Sequence, residues 1–250
     1  MTFIVAVAGK GGVGKSTLSA LMIKVIAERT RTVVMAIDAD PNSNLGDKLG
    51  MKVEHTIGEL REDLLRKAEE LSAGVSKHDL VRYQMEMAKV EGSNFDLLTM
   101  GRPEGRGCYC YINNILRTFI DEAMDSYEYV VIDNEAGMEH LSRRTTKRMD
   151  VLLVVSDATK LGVETAKRIL ALAKGMEIDI GRSILAVNRV QGAVEGVVQE
   201  EISCAGFGAL VLLPYERKVE ELSITGSPVV QLDVSSQFYR AVRDLVSNLK

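Results

Sequence analysis

Tryptophan is absent from this sequence of 250 residues, and aromatic residues make up only 5% of it. Hydrophobic residues still reach 46%, so aliphatic side chains must fill the core, which a chain of this length can build without covalent cross-links. The chain has only three cysteines, too few for a disulfide-stapled scaffold. We therefore expect a protein of the reducing cytoplasm, where a close cysteine pair indicates metal or redox chemistry.

Long apolar runs and an excess of positive charge are also missing. No apolar run approaches the ~18 residues that a transmembrane helix needs. The apolar start of the chain has no basic region and leads directly into glycines, so it predicts a buried strand and not a signal peptide. The net charge of −4 argues against a nucleic-acid coat or a polybasic membrane tether. We expect neither nucleic acid nor a membrane as a partner.

Short runs rich in Val, Ile and Leu alternate with helical patterns along the chain. These runs are nearly continuous in apolar residues, as strands buried on both faces are. Alternation of strands and helices predicts an α/β fold, with a mostly parallel sheet of seven or eight strands and helices on both faces. The predicted strands are Phe3–Ala8, Thr32–Asp38, Phe95–Met100, Tyr129–Asp133, Val151–Ser156, Ser183–Asn188 and Ala209–Leu213.

The segment Met51–Asn94 departs from this alternation. Its apolar spacing is mostly helical, and a second, polar helix is predicted at about Lys77–Lys89. No low-complexity linker or internal repeat divides the chain. We therefore interpret residues 1–250 as a single domain with a helical insertion at about 51–94.

A glycine-rich loop follows the first predicted strand and opens a helix. Its sequence, GKGGVGKST, fits the phosphate-loop pattern G-x-x-x-x-G-K-[S/T] in the structural context that the pattern requires. Glycines let successive N–H groups turn toward phosphate oxygens, and the helix adds its positive N-terminus. Lys15 is expected to reach the β- and γ-phosphates and Ser16 to bind Mg²⁺, which makes the chain a P-loop NTPase. The residues expected to bind nucleotide here are Gly9, Lys10, Gly11, Gly12, Val13, Gly14, Lys15, Ser16 and Thr17.

Carboxylates follow two further predicted strands. Asp38 and Asp40 lie in the sequence DADP, and Asp133 ends the apolar run VVID. The carboxyl ends of parallel strands share one edge of the sheet, so these acids are expected beside the loop. Asp38 is expected to bind Mg²⁺ through water, and the alternative for either Asp38 or Asp40 is the capping of a loop. Asp133 is expected to hold the metal from its second shell.

The second lysine of the loop, Lys10, is not needed to hold one phosphate chain. The string GKGGVGKST resembles the deviant Walker A ATPases, the family of MinD, ParA and the nitrogenase iron protein. The resemblance implies ATP hydrolysis in a homodimer that sandwiches the nucleotide, where Lys10 contacts the partner's phosphates. It also implies that Asp40 orients the attacking water and that the N–H of Gly137 meets the γ-phosphate. Lys10, Lys15 and Asp40 are therefore the expected catalytic residues.

The base is expected to lie near the ends of two later strands. Asn188, in the sequence AVNRV, matches the asparagine that contacts adenine in this family. Pro214 and Tyr215 follow the next strand and can form a wall for the base. The resemblance implies ATP and ADP as the nucleotides, and the absence of a discriminating aspartate of the GTPase type after Asn188 agrees with this.

Cys108 and Cys110 lie one residue apart, just before a strongly apolar helical stripe that starts at about Ile112. A helix N-terminus favours the thiolate form, and residues i and i+2 of an extended chain point the same way. Both sulfurs can then bind one ion, although a closed site wants about four ligands. A twofold dimer would supply four thiolates for Zn²⁺ or Ni²⁺. A strained redox disulfide and simple packing of two thiols are the alternatives.

Two sequence segments narrow the resemblance to one subgroup of these ATPases. GCYCYINNILR and DNEAGMEHLSRRT resemble the ATPases that mature carbon monoxide dehydrogenase and acetyl-CoA synthase. This implies an ATP-dependent factor that assists nickel insertion, with one of those nickel enzymes as its client. Two alternatives remain: a spatial organiser like MinD or ParA, or an iron–sulfur scaffold that transfers electrons. The organiser needs a detachable anchor or a basic face, whereas the C-terminal helix Gln237–Leu249 carries an ordinary core stripe.

Overall fold

The computed structural model describes residues 1–60, 83, 86–101, 118, 120–135, 148–176, 178–194 and 196–250. Within them, eight strands form one sheet in the order β3-β4-β2-β5-β1-β6-β7-β8. All neighbours pair in parallel except β3 and β4, which are antiparallel. The strands are β1 Phe3–Gly9, β2 Val34–Ala39, β3 Lys89–Val90, β4 Phe95–Thr99, β5 Tyr129–Asn134, β6 Arg148–Asp157, β7 Asp179–Val190 and β8 Ala209–Pro214.

Helices cover both faces of this sheet, as the alternating pattern predicts. One face packs against α1, α2 and α6 in a large apolar cluster, and the other packs against α3 and α4. Residues 120–125 are also helical and cover the second face beside β2 and β5. The helices are α1 Lys15–Thr30, α2 Leu45–Leu49, α3 Lys160–Gly175, α4 Gly196–Ser203, α5 Arg217–Ile224 and α6 Gln237–Ser247.

The seven strands predicted from the sequence are all present, and the sheet is mostly parallel, which confirms the predicted fold class. The second predicted helix of the insertion is confirmed at its C-terminal end, where residues 83 and 86–88 are helical. It stops one residue before the predicted end, because Lys89 and Val90 pair with Leu98 and Leu97 at the outer edge of β4 and form β3. Most of the predicted helical insertion, residues 61–82 and 84–85, lies outside the described residues.

The apolar stripes of α1 and of the C-terminal helix are buried, whereas most of the predicted stripe that starts at about Ile112 lies outside the described residues. Leu18, Leu21, Met22, Val25 and Ile26 of α1 are at most 1% exposed, so this helix is held firmly against the sheet. In the C-terminal stripe, Phe238, Val242 and Leu245 are buried in the same cluster as α1. Among the described helices, none has the length and apolar character needed to cross a bilayer.

The register of the sheet brings polar residues together at its carboxyl edge. Asp38 on β2 lies opposite Thr99 on one side and Asp133 on the other. Residues in register point to the same face of a sheet, so these three side chains form a row. The row lies on the face that α1 covers, since Val131 and Ala36 of the same strands pack in the α1 cluster. All three side chains are buried, with at most 1% of each exposed.

Candidate nucleotide-binding site

The loop between β1 and α1 takes a conformation that needs glycine. Gly12 and Gly14 have φ angles of 79° and 96°, in the region that disfavours other residues. A Cβ atom on Gly9 would lie 2.3 Å from the carbonyl oxygen of Val155 on β6. Gly14 is also the N-cap of α1, so the loop leads straight into the positive end of that helix. The predicted phosphate loop is therefore formed locally as the motif requires.

The two lysines of the loop lie in different environments. Lys15 is only 6% exposed, and its ammonium group donates a hydrogen bond of 3.2 Å to the main-chain oxygen of Lys10. The side chain of Lys10 is exposed, as are Gly11 and Gly12 beside it. Lys15 is thus held inside the loop that it is predicted to serve, whereas Lys10 extends from the surface.

Asp133 lies directly beneath the start of α1. The hydroxyl of Ser19 donates a 3.0 Å hydrogen bond to Oδ1 of Asp133. Burial raises the pKa of Asp133 to about 6, and interactions with the hydroxyls of Ser16 and Ser19 and with Lys15 oppose that rise. Oδ2 of Asp133 is buried and has no hydrogen-bond partner among the described residues. A buried, unpartnered carboxylate oxygen near Ser16 fits the oxygen-rich shell of Mg²⁺.

Both carboxylate oxygens of Asp38 accept hydrogen bonds from the loop that follows β2. Its Oδ1 accepts from the N–H of Asp40 at 3.1 Å, and its Oδ2 accepts from the N–H of Leu45 at 2.9 Å. Burial raises the pKa of Asp38 to about 7, the Leu45 N–H opposes the rise, and the charge of Asp133 adds to it. These contacts match the loop-capping alternative, while its predicted water-mediated bond to Mg²⁺ stays a prediction.

Asp40 lies on the loop between β2 and α2. Its Oδ1 accepts hydrogen bonds of 2.9 Å from both the backbone N–H and the side-chain amide of Asn42. Its main-chain oxygen accepts from Ser43, whose φ angle of 52° marks a tight turn. Asp40 is half-buried at the same sheet edge as the phosphate loop, which is where its predicted catalytic role would put it.

A cavity of about 200 Å³ opens beside the phosphate loop. The three residues predicted to surround the base, Asn188, Pro214 and Tyr215, all line it, together with Gly14 and Thr17 of the loop. The structure thus brings the predicted phosphate loop and the predicted base site together.

Asn188 connects the base site to the phosphate loop. Its side-chain amide donates a 2.8 Å hydrogen bond to the main-chain oxygen of Val13, and its own oxygen accepts from the N–H of Arg189. A Cβ atom on Gly14 would lie 2.5 Å from the Asn188 amide nitrogen. Asn188 therefore packs tightly on the phosphate loop as well as lining the cavity.

Sequence reasoning missed other residues of the cavity wall, including Arg189, Glu216 and Glu220. Glu216 accepts hydrogen bonds from the Ser236 hydroxyl and the Phe238 N–H, so it ties the wall to the start of α6. Glu220 accepts from the Tyr215 hydroxyl at 2.6 Å. The position of Glu216 directly after Pro214 and Tyr215 was the only available signal, since its partners lie 20 and 22 residues away.

Some predicted residues lie outside the described residues. These are Gly137, which was predicted to meet the γ-phosphate, and the cysteine pair Cys108 and Cys110. Within the described ranges, no group of three or more His, Cys, Asp or Glu side chains could hold a metal ion. Cys204, just after α4, is an exposed free thiol.

Comparisons with known proteins support the interpretation of this site as a nucleotide-binding site. A family model described as an AAA domain matches residues 1–184. An uncharacterized ATP-binding protein of Methanocaldococcus jannaschii is 42% identical over 98% of both chains. The carbon monoxide dehydrogenase accessory protein CooC of Rhodospirillum rubrum is 32% identical over 70% of this chain and 70% of its own.

Solved structures show the same fold at lower identity. A ParA family ATPase of Chlorobium tepidum superimposes with a TM-score of 0.72 at 18% identity, covering 100% of this chain and 99% of the other. The septum site-determining protein MinD of Pyrococcus horikoshii, solved with Mg-ADP, superimposes with a TM-score of 0.70 at 17% identity, covering 100% and 96%. The chain belongs to the AAA domain family and is a P-loop ATPase with the fold of MinD and ParA proteins, related to the carbon monoxide dehydrogenase accessory protein.

Proposed function

We propose that this ATPase is a maturation factor that assists nickel insertion into carbon monoxide dehydrogenase or acetyl-CoA synthase. The observation that carries the proposal is the 32% identity to a carbon monoxide dehydrogenase accessory protein over 70% of the chain. The Cys-Tyr-Cys string at 108–110 supports it from the sequence, because thiolates accept both Ni²⁺ and Zn²⁺. In this proposal nickel is the cargo, and ATP controls when the site opens.

The nucleotide is proposed to bind as ATP or ADP with Mg²⁺. The phosphates would lie on the loop N–H groups and the start of α1, with the base in the cavity between Asn188 and Tyr215. Ser16 and the unpartnered oxygen of Asp133 would hold the Mg²⁺ shell. The metal would supply charge neutralisation for the phosphates. Lys15 would exchange its bond to the loop oxygen for bonds to phosphate.

The hydrolytic step is proposed to occur within a homodimer. The exposed side chain of Lys10 is free to cross to a partner's phosphates, whereas Asp40 stays with its own loop at the sheet edge. Gly101, which follows β4, comes just before the cysteine segment. Gly101 is thus the last described residue before the cysteine pair, and it lies at the edge that carries the phosphate loop. A dimer closed over this edge would bring two cysteine pairs near one axis, giving the four thiolates that a metal site needs.

The test is metal content per chain, measured together with molar mass, on protein purified without oxygen. We expect one Zn²⁺ or Ni²⁺ per dimer in the wild type and its loss in the Cys108→Ser/Cys110→Ser variant. Cys204→Ser is the matched control, because Cys204 is an exposed thiol elsewhere, and this variant should keep the metal. If the wild type stays free of metal after nickel or zinc is added, the cysteines are not a metal site and the nickel proposal fails.

A second candidate is a spatial organiser, favoured by the structural likeness to MinD and ParA proteins. Such a protein needs a surface that binds membrane or DNA when ATP is bound. The C-terminal helix α6 instead buries Phe238, Val242 and Leu245 against α1, which ties it to the core. Co-sedimentation with anionic vesicles or with DNA in the presence of ATP distinguishes the candidates, and binding to either would favour the organiser.

A further inference from the structure

Ser19 makes a contact that the phosphate-loop motif does not account for. The motif ends at Ser16, and Ser19 lies one helical turn later on α1. Its side chain is fully buried, and its hydroxyl donates to Oδ1 of Asp133 at 3.0 Å. This bond joins α1 to the carboxyl end of β5, across 114 residues of sequence.

The bond leaves the two oxygens of Asp133 in unlike situations. Oδ1 has a donor, whereas Oδ2 is buried and without a hydrogen-bond partner among the described residues. A hydroxyl that holds one carboxylate oxygen fixes the direction of the other, because the two move together about one torsion. Ser19 therefore determines where the open oxygen of Asp133 is directed.

We propose that Ser19 is a positioning residue for Mg²⁺-dependent nucleotide binding, acting through Asp133. Its hydroxyl gives Oδ1 a donor other than Ser16 and keeps Oδ2 available to the shell of the metal. This inference rests on the proposed nucleotide and Mg²⁺ site.

The neighbours of Asp133 explain why such a hold is needed. Ser16 and Lys15 both attract its carboxylate, and both are predicted to serve the nucleotide and its metal. Without Ser19, the buried carboxylate would draw the Ser16 hydroxyl more strongly, since a buried acceptor without a donor is unfavourable. Asp133 would then compete with the metal for Ser16, and Mg²⁺ would strengthen nucleotide binding less.

The experiment measures the affinity of the full chain for a fluorescent ADP analogue, with and without Mg²⁺. In Ser19→Ala we expect the affinity without Mg²⁺ to be kept and the strengthening by Mg²⁺ to fall by about tenfold, as for other groups that orient metal ligands. Thr30→Ala is the control on the same helix, because its hydroxyl bonds to Ile26 at the opposite end. This control should keep the full strengthening by Mg²⁺. Thermal unfolding of both variants confirms that they are folded.

A double-mutant cycle tests whether Ser19 acts through Asp133. In an Asp133→Asn background, Ser19→Ala should cause no further loss of the Mg²⁺ effect. Ser19→Cys, with a similar volume and a much weaker donor, should behave like Ser19→Ala and serves if the alanine variant does not fold. An unchanged Mg²⁺ effect in either folded variant, or additive losses in the cycle, overturns the inference. Wild-type protein that binds the analogue equally with and without Mg²⁺ would instead overturn the proposed metal site.

Discussion

Asp38 and Asp133 lie opposite each other on the neighbouring strands β2 and β5, with both side chains fully buried. Each strand ends there, at the edge where the phosphate loop begins. Asp38 has two backbone N–H donors, whereas Asp133 has one hydroxyl donor and one open oxygen. Two buried acids in register repel when both are charged, so this pair is a source of instability in the nucleotide-free protein that a bound cation would relieve.

The first prediction concerns the pH dependence of stability without nucleotide. Burial raises the pKa of Asp38 to about 7 and that of Asp133 to about 6, from a usual value of 3.8. Between the unfolded pKa and the raised folded pKa, each carboxyl binds more protons in the folded chain than in the unfolded chain. The contribution of the pair to the free energy of unfolding therefore falls as pH rises from about 4 to about 7. For Asp38 alone the full loss is on the order of 4 kcal/mol.

Urea unfolding at about pH 5 and about pH 8 measures this effect. We expect the free energy of unfolding to be higher at the lower pH, apart from the contributions of other groups. Asp38→Asn should weaken the pH dependence, although it also loses one N–H bond to the loop after β2. A pH dependence as steep in Asp38→Asn as in the wild type would contradict the assignment to this residue.

The second prediction concerns Thr99, the third member of the polar row. Its side chain is 1% exposed, and its hydroxyl has no hydrogen-bond partner among the described residues. Thr99→Val has nearly the same shape and removes no bond, so we expect a free energy of unfolding that is unchanged or higher by up to ~1 kcal/mol. Ser236→Ala, in contrast, removes the N-cap of α6 and should cost about 1 kcal/mol. Urea unfolding compares the two variants, and a marked loss in Thr99→Val would reveal a partner for its hydroxyl.

The sequence predicts features that depend on residues close together in the chain, and it misses features that depend on distant residues. The strands of the parallel sheet are continuous apolar runs, and the phosphate loop depends on glycines within a few residues of each other, so both are local signals. β3 has only two residues and exists because β4 offers it an edge, which no local pattern encodes. The sequence pattern therefore extends the preceding helix by one residue, to Lys89, and gives no sign of a strand there.

The residues of the site show the same contrast between local signals and contacts that are distant in sequence. The sequence puts Asp38 and Asp133 at strand ends, and from there their meeting at one edge follows from the parallel topology. It cannot tell that Asp38 gives both oxygens to the loop after β2 or that Ser19 holds Asp133. It also cannot tell that Asn188 bonds to Val13, since that contact spans 175 residues. These contacts depend on side-chain directions in the packed molecule.

The third prediction tests that contact between Asn188 and the phosphate loop. The amide of Asn188 is a donor to the Val13 oxygen, and Asn188 is only 4% exposed. Asn188→Asp would put an acceptor against that oxygen, so we expect a loss of about 1–3 kcal/mol in stability and weaker nucleotide binding. Asn188→Ala, which removes the donor without adding repulsion, should lose less stability. Unfolding curves and nucleotide titrations measure both, and equal stability of the two variants would contradict the role of the donor.

The last prediction concerns Lys10 and the proposed dimer. In Lys10→Ala we expect ATP binding to be kept, because Lys15 and the N–H groups of the loop, which are proposed to hold the phosphates, are unchanged. ATP-dependent dimerisation and most of the hydrolysis should be lost, since the exposed ammonium group is proposed to reach the partner's phosphates. Lys52→Ala is the control, because Lys52 is also an exposed lysine, with its side chain 86% accessible. Molar mass with a non-hydrolysable ATP analogue and the rate of phosphate release measure both effects. A monomeric Lys10→Ala protein that hydrolyses ATP at the wild-type rate would contradict the dimer mechanism.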